Sequence, residues 1–262
     1  MVREVRRAAD RLYLVAHDPS TGSPCVGPRQ MGFALAAAVL GELVLAGLID
    51  LTGGVVRPTD RQPFVRRVWH HSLGLSIMEV CVESHRRVAS GKADEPCLWC
   101  GVRGVEVFPD RMVWETRQLI VREQTDRPVV DWLTVLATDA AALVAQRLAA
   151  DEWLVPEYRR SWLSGRVRRV WVPANVVEAE GSREALRRVG RGLDRYPGPD
   201  ECLVAGLVDA VGLTRLVVAA VPDPPAAVRA LSDAAARLDD PLRLLVAAAK
   251  AAADNAVMAH TG

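Results

Sequence analysis

The chain has 262 residues, half of them hydrophobic, a quarter charged and only 5% aromatic, a balance that excludes wholesale disorder and allows a sizeable buried core. Its formal net charge is +1, so no global field draws it to nucleic acid or membrane, and any such binding must come from a local patch. Five cysteines, an odd number in a long chain, do not make a disulfide framework.

The start, MVREVRRAADRLYLVAH, carries an apolar run too short for a signal sequence, and the expected location is the cytoplasm. Asp18 to Gly22 (DPSTG) is turn chemistry. Pro28 then precedes a long apolar run over 31–49 whose single charge is Glu42. That run is nearly as long as a membrane span, but the acid and the small residues Ala34, Ala36, Ala37, Ala38 and Gly41 favour a buried core helix. A second apolar run, over 202–221, is interrupted by Asp209 and Arg215 and reads the same way. In between, 73–88 looks helical, 102–114 contains Val, Phe and Trp, and 130–150 repeats apolar residues at spacings of three and four, a helix.

Next come two β-prone runs, 157–163 and 166–172, separated by Ser164-Gly165 and bracketed by Pro156 and Pro173, which predict a hairpin. An arginine-rich helix is expected over 182–195 with Ser182 as its N-cap. Three further helices, over 199–220, 224–238 and 241–257, each begin near a proline. The expected fold class is mainly α: one helical domain, with a central apolar helix bundle and at least one protruding β-hairpin. Charge is uneven along it. Residues 156–196 hold ten arginines against five acids, whereas 197–262 hold five basic residues against eight acids. The basic density therefore lies on the hairpin and the helix after it.

Chemistry-bearing motifs are few. Cys97-Leu98-Trp99-Cys100 is a CxxC, but no second one follows, and His70, His71 and His85 complete no standard finger spacing. No metal and no cofactor are expected. The tandem His70-His71 points its side chains in different directions on either a helix or a strand. His17-Asp18 falls in a turn, and Asp239-Asp240 before Pro241 reads as a helix cap. There is no phosphate-binding glycine loop, GxSxG or HExxH, and the expectation is that the protein is not an enzyme. The hairpin after a helix also resembles the wing of a winged helix, yet the preceding helix offers only Asp139, Gln146 and Arg147 as base readers between 137 and 148. Nucleic acid is not the expected partner.

LYLVAHDPSTG followed by MGFALAAAVLGELVLAGLIDL resembles the opening of the Golgi phosphoprotein 3-like family, including its Glu-Leu-x-Leu-x-Gly motif, here Glu42-Leu43-Val44-Leu45-Ala46-Gly47. The likeness resumes at DWLTVLATDAAALVAQRLAADEWL, the hairpin, and CLVAGLVDAVGLTRLVVAAVPDPPAAVRAL, leaving 62–124 as a divergent segment within a single domain of residues 1–262. The resemblance implies a helical domain that binds phosphatidylinositol 4-phosphate on Golgi membranes and links enzyme tails to trafficking machinery. In the family a pocket of one tryptophan and three arginines holds the lipid, and a hairpin with an apolar tip inserts in the membrane and contributes to self-assembly.

On this sequence the tryptophan position falls at Gly27, the first arginine position at Ala36 and the other two near Thr138 and Ala141. None supplies a guanidinium fork, although Arg29, two residues beyond Gly27, is placed to substitute at the rim. The expected lipid-binding residues are therefore Arg29, Arg159, Arg160, Arg166 and Arg168, with Trp162 and Leu163 at the hairpin tip. The expected function is that of a non-enzymatic, cytoplasmic, peripheral membrane adaptor for anionic phospholipid, with weakened phosphoinositide specificity and an unidentified protein client. The alternative is a soluble protein-interaction module whose hairpin makes a homo-oligomer contact.

Overall fold

Proline at the first helical position and an apolar surface on every side place one helix, α2 (Pro28–Leu45), at the centre of the fold. The computed structural model describes residues 7–60, 111–123, 125–160 and 167–261. The helix expected over 73–88 and the Cys97–Cys100 pair lie outside them. Around α2 pack α1 (Ala8–Val15), α4 (Val129–Ala150), α6 (Pro199–Ala210) and α9 (Asp240–Thr261). An outer set, α3 (Arg111–Arg122), α5 (Val176–Gly190), α7 (Thr214–Val218) and α8 (Pro224–Ala236), completes the described helices. The fold is mainly α.

Ala34 to Leu40 on α2 are all buried, as expected of a core helix. Two described helices, α2 and α4, are long and apolar enough to cross a bilayer by length and composition alone. The apolar run over 202–221 does not form one helix: α6 ends at Ala210, and the chain turns through Val211-Gly212 before the short α7. At the other end of α2, Gly47 adopts φ +66°. Its N–H donates to the Val44 carbonyl at 2.8 Å, and the Leu48 N–H donates to the Leu43 carbonyl at 2.9 Å, the double bond of a glycine-terminated helix. The last residue of the Glu42–Gly47 motif is thus the one that stops the helix.

Among the described residues, two β-sheets accompany the helices. A three-stranded antiparallel sheet pairs β1 (Ile49–Asp50) with β2 (Val55–Pro58), and β2 with β3 (Arg127–Pro128). The second is the expected hairpin, β4 (Leu154–Arg160) with β5 (Val167–Pro173). Its first strand begins three residues before the expected start, at Leu154, which is buried in the core. The helix after it also starts early. Asn175, not Ser182, is the N-cap of α5, its side chain accepting from the N–H groups of Val177 at 3.0 Å and Glu178 at 3.3 Å. Ser182 is buried in mid-helix. As expected, the side chain of Asp239 caps α9, accepting from the Leu242 N–H at 3.3 Å.

Candidate functional site

Seven residue pairs, from Leu154 with Pro173 to Arg160 with Val167, form the hairpin ladder. The base of the hairpin is mounted on the turn between α1 and α2. Asp18 shapes that turn by accepting from the N–H groups of Ser20 at 3.0 Å and Thr21 at 2.7 Å, and Gly22 lies directly against the backbone of Trp171 in β5. Farther out, the ladder leaves the core. Tyr158 is 72% exposed and Val167 62%, both large exposures for residues with apolar bodies.

The structure brings three of the expected lipid-binding residues together on this hairpin: Arg159 and Arg160 in β4 and Arg168 in β5, the last paired across the ladder with Arg159. Arg159 is not a bare charge, because its guanidinium donates to Glu157 at 2.9 Å. Trp162, Leu163 and Arg166 lie outside the described residues. Arg29 sits on a different element, the exposed first turn of α2. Sequence reading missed Tyr158. It also missed the stacking of Arg169 on Trp171, with the guanidinium carbon 4.7 Å from the ring centroid. A period of two along 154–160 and 167–173 is the signal that finds them.

The four positions where the resemblance locates a phosphate pocket lie in unlike surroundings. Gly27 and Thr138 are exposed, Ala141 is half-buried and Ala36 is fully buried in α2. One turn before Ala36, α2 and α4 approach so closely that a Cβ on Gly32 would lie 2.4 Å from the Ala137 carbonyl oxygen. Backbone packing of this kind leaves no room for a guanidinium at that crossing.

A buried charge cluster joins α1, α2 and α4. The Arg147 guanidinium donates to Asp10 at 2.7 Å and to Glu42 at 3.1 and 3.3 Å, all three residues being buried. Glu42 also accepts from the Ala9 N–H at 2.8 Å, so a carboxylate of α2 meets the N-terminus of α1, where helix dipole and open N–H groups favour it. Around this centre Arg7 pairs with Asp10 at 3.1 Å and with Asp151, and Arg11 with Glu201 at 3.0 Å. Every contact named is internal to the fold, and the cluster acts as a clamp on α1.

Burial pushes the Asp10 carboxyl up to about 6, against the opposing pull of Arg147 and Arg7. A folded-state value above the ordinary 3.8 means that the folded protein binds the proton more tightly than the unfolded chain. The contribution of Asp10 to stability is then fully present below about pH 4 and declines as pH rises through about 6. Relative to Asp10→Asn, which cannot titrate, the wild type is expected to lose up to about 2 kcal/mol between pH 4 and pH 7. Paired urea unfolding curves of the two proteins across that range check it. A difference that is flat, or of opposite sign, removes the assignment.

His17 stacks on Tyr13 with 3.9 Å between centroids and lies 2.7 Å through Nδ1 from the Tyr13 carbonyl. Burial lowers its pKa. Among the described residues no group of three or more His, Cys, Asp or Glu side chains is placed to hold a metal ion. An open cleft of about 370 Å³ lies between the loop after α5 and helix α8, lined in part by Asp194, Tyr196, Asp233 and Arg237. Arg237 spans it to donate to the Arg195 carbonyl at 2.8 Å.

Compared with known proteins, residues 8–259 match the family model described as Golgi phosphoprotein 3 (GPP34). No curated protein matches the chain.

Proposed function

The chain belongs to the Golgi phosphoprotein 3 family, and from that membership we propose that it is a non-enzymatic peripheral membrane adaptor that binds anionic phospholipid through the β4–β5 hairpin. The observation that carries this reading is the hairpin itself. It is a ladder that leaves the core carrying Arg159, Arg160, Arg168 and Arg169, with Glu157 its single acid among the described residues of the two strands. Each arginine held near an anionic leaflet is worth about 1 kcal/mol, less in salt. Aromatic side chains prefer the headgroup level. On this reading Trp162 and Leu163 enter the interface at the tip, Arg166 adds to the charge, and the protein works from the cytoplasmic face.

The buried alanine at position 36, and the glycine, threonine and alanine at the other three pocket positions, support charge-driven binding without phosphoinositide selectivity. Arg29 alone does not rebuild a three-arginine site. A protein client would dock on the membrane-bound form. The exposed apolar side chains Tyr158 and Val167 also favour a second reading, in which the hairpin pairs with another copy of the chain.

Vesicle co-sedimentation decides between these readings. The vesicles are neutral phosphatidylcholine, phosphatidylcholine with phosphatidylglycerol, and phosphatidylcholine with phosphatidylinositol 4-phosphate at matched charge. The expected result is binding that follows charge, weakens with salt, and falls about tenfold or more in Trp162→Ser/Leu163→Ser at unchanged molecular mass. A preference for the phosphoinositide at matched charge would overturn the loss of the pocket. No binding at low salt, together with a smaller molecular mass for the double variant, would replace the membrane reading with self-association.

A further inference from the structure

Side chains on paired strands alternate between two faces, and on this hairpin the faces differ in chemistry. With Tyr158 opposite Arg169, Arg160 opposite Val167 and Pro156 opposite Trp171, one face carries Tyr158, Arg160, Val167, Arg169 and Trp171. The other carries Val155, Glu157, Arg159 and Val170. The first face has two guanidinium groups and no carboxylate. On the second, Glu157 neutralises Arg159 at 2.9 Å, and both Arg159 and Val170 are half-buried. The most exposed apolar side chains of the ladder, Tyr158 at 72% and Val167 at 62% against 43% for Val155 on the second face, therefore share the first face with Arg160 and Arg169.

We propose that the hairpin docks on an anionic bilayer side-on, with the Tyr158, Val167 and Arg169 face against the headgroups, and not by its tip alone. The proposal rests on the lipid-binding reading above and adds to it which surface makes the contact. Stacking holds the Arg169 charge over the Trp171 ring, which keeps cation and ring at one depth. That matches an interface where phosphates lie just above the level that tryptophan and tyrosine occupy. From Val167 to Trp171 the strip runs about 13 Å along the strand, so a flat approach brings Tyr158, Arg160, Val167 and Arg169 to the lipid, with Trp171, half-buried against the core, at its inner end. An end-on approach leaves most of them in water.

The test uses the full chain and vesicles of phosphatidylcholine with and without phosphatidylglycerol. It compares wild type, the face variant Tyr158→Ser/Val167→Ser/Arg169→Ser, the opposite-face variant Val155→Thr, and the tip variant Trp162→Ser/Leu163→Ser. Side-on docking predicts that the face variant binds anionic vesicles about tenfold or more weakly, while Val155→Thr, which removes exposed apolar surface from the other face, binds like wild type. The single Arg169→Gln should weaken binding about fivefold, and its conservative change keeps the test valid if the triple variant misfolds. Wild-type binding that is abolished in the tip variant but unchanged in the face variant and in Arg169→Gln would overturn side-on docking and leave the lipid reading intact. Absence of wild-type binding to anionic vesicles would overturn both.

Discussion

Arg147→Ala is expected to destabilise the protein by about 3–5 kcal/mol, enough to unfold most of a marginally stable fold. The reason is what the side chain leaves behind. Arg147 bonds both Asp10 and Glu42, and these carboxylates are 2% and 9% exposed. Without the guanidinium, two acids share one dry pocket with Arg7 at its edge. At neutral pH they must stay charged against each other or take up protons, and both options cost stability. Arg147→Lys should recover only part of the loss, because a single ammonium cannot reproduce contacts made from Nε and both terminal nitrogens.

The combination Arg147→Met/Asp10→Asn/Glu42→Gln separates charge from packing. If the cost of Arg147→Ala comes from stranded charge, the triple variant should regain most of it, since a buried ion pair replaced by a neutral set of similar volume is often close to neutral. Urea unfolding midpoints of the four proteins give the comparison. A loss of less than about 1 kcal/mol in Arg147→Ala, or no recovery in the triple variant, would mean that the cluster is not what holds α1.

The same cluster marks where the sequence stopped being informative. Glu42 stands out as the lone charge in an apolar run and as the first residue of a family motif, but nothing local pairs it with Asp10 or Arg147, which are 137 positions apart from each other. The three meet only because α1 and α4 pack on the same helix. Elements whose causes are local were legible: α2 from its proline and continuous apolar run, α4 from its spacing, α8 and α9 from their prolines, and the hairpin from two β-prone runs around Ser164-Gly165. The strands Ile49–Asp50 and Arg127–Pro128 were not, since two residues carry no periodicity and their pairing with β2 is a tertiary event. For α5 the chain offers two residues able to cap, Asn175 and Ser182. Which one serves depends on where the hairpin returns the backbone, and it returns it to Asn175. For the site, the abundance of arginine was plain, but the sorting of charge between two faces needed the register of Tyr158 with Arg169.

How the hairpin is mounted leads to the other large effect. Gly22→Ala is expected to cost about 2–3 kcal/mol and to weaken vesicle binding as well. Gly22 has φ +64°, and a Cβ built there would lie 2.0 Å from the Trp171 carbonyl oxygen and 3.1 Å from a methyl of Val172. The obstacle on the far side is backbone, which cannot rotate out of the way as a side chain can. The turn cannot yield easily either, because the Gly22 N–H donates to the Asp18 carbonyl at 2.8 Å and the Asp18 N–H donates to the Ser23 carbonyl at 2.8 Å. Relief therefore comes from moving β5, and with it the strand that carries Val167, Arg169 and Trp171. Gly53→Ala isolates the conformational part of the cost: Gly53 has nearly the same angle, φ +63°, with nothing within 4 Å of its Cβ position. That variant should lose about 1 kcal/mol and bind vesicles like wild type. If the two alanine variants have equal stability, the contact with Trp171 does not constrain the hairpin. If Gly22→Ala is destabilised yet binds lipid normally, the orientation of the hairpin on its mount is not what presents it to the membrane.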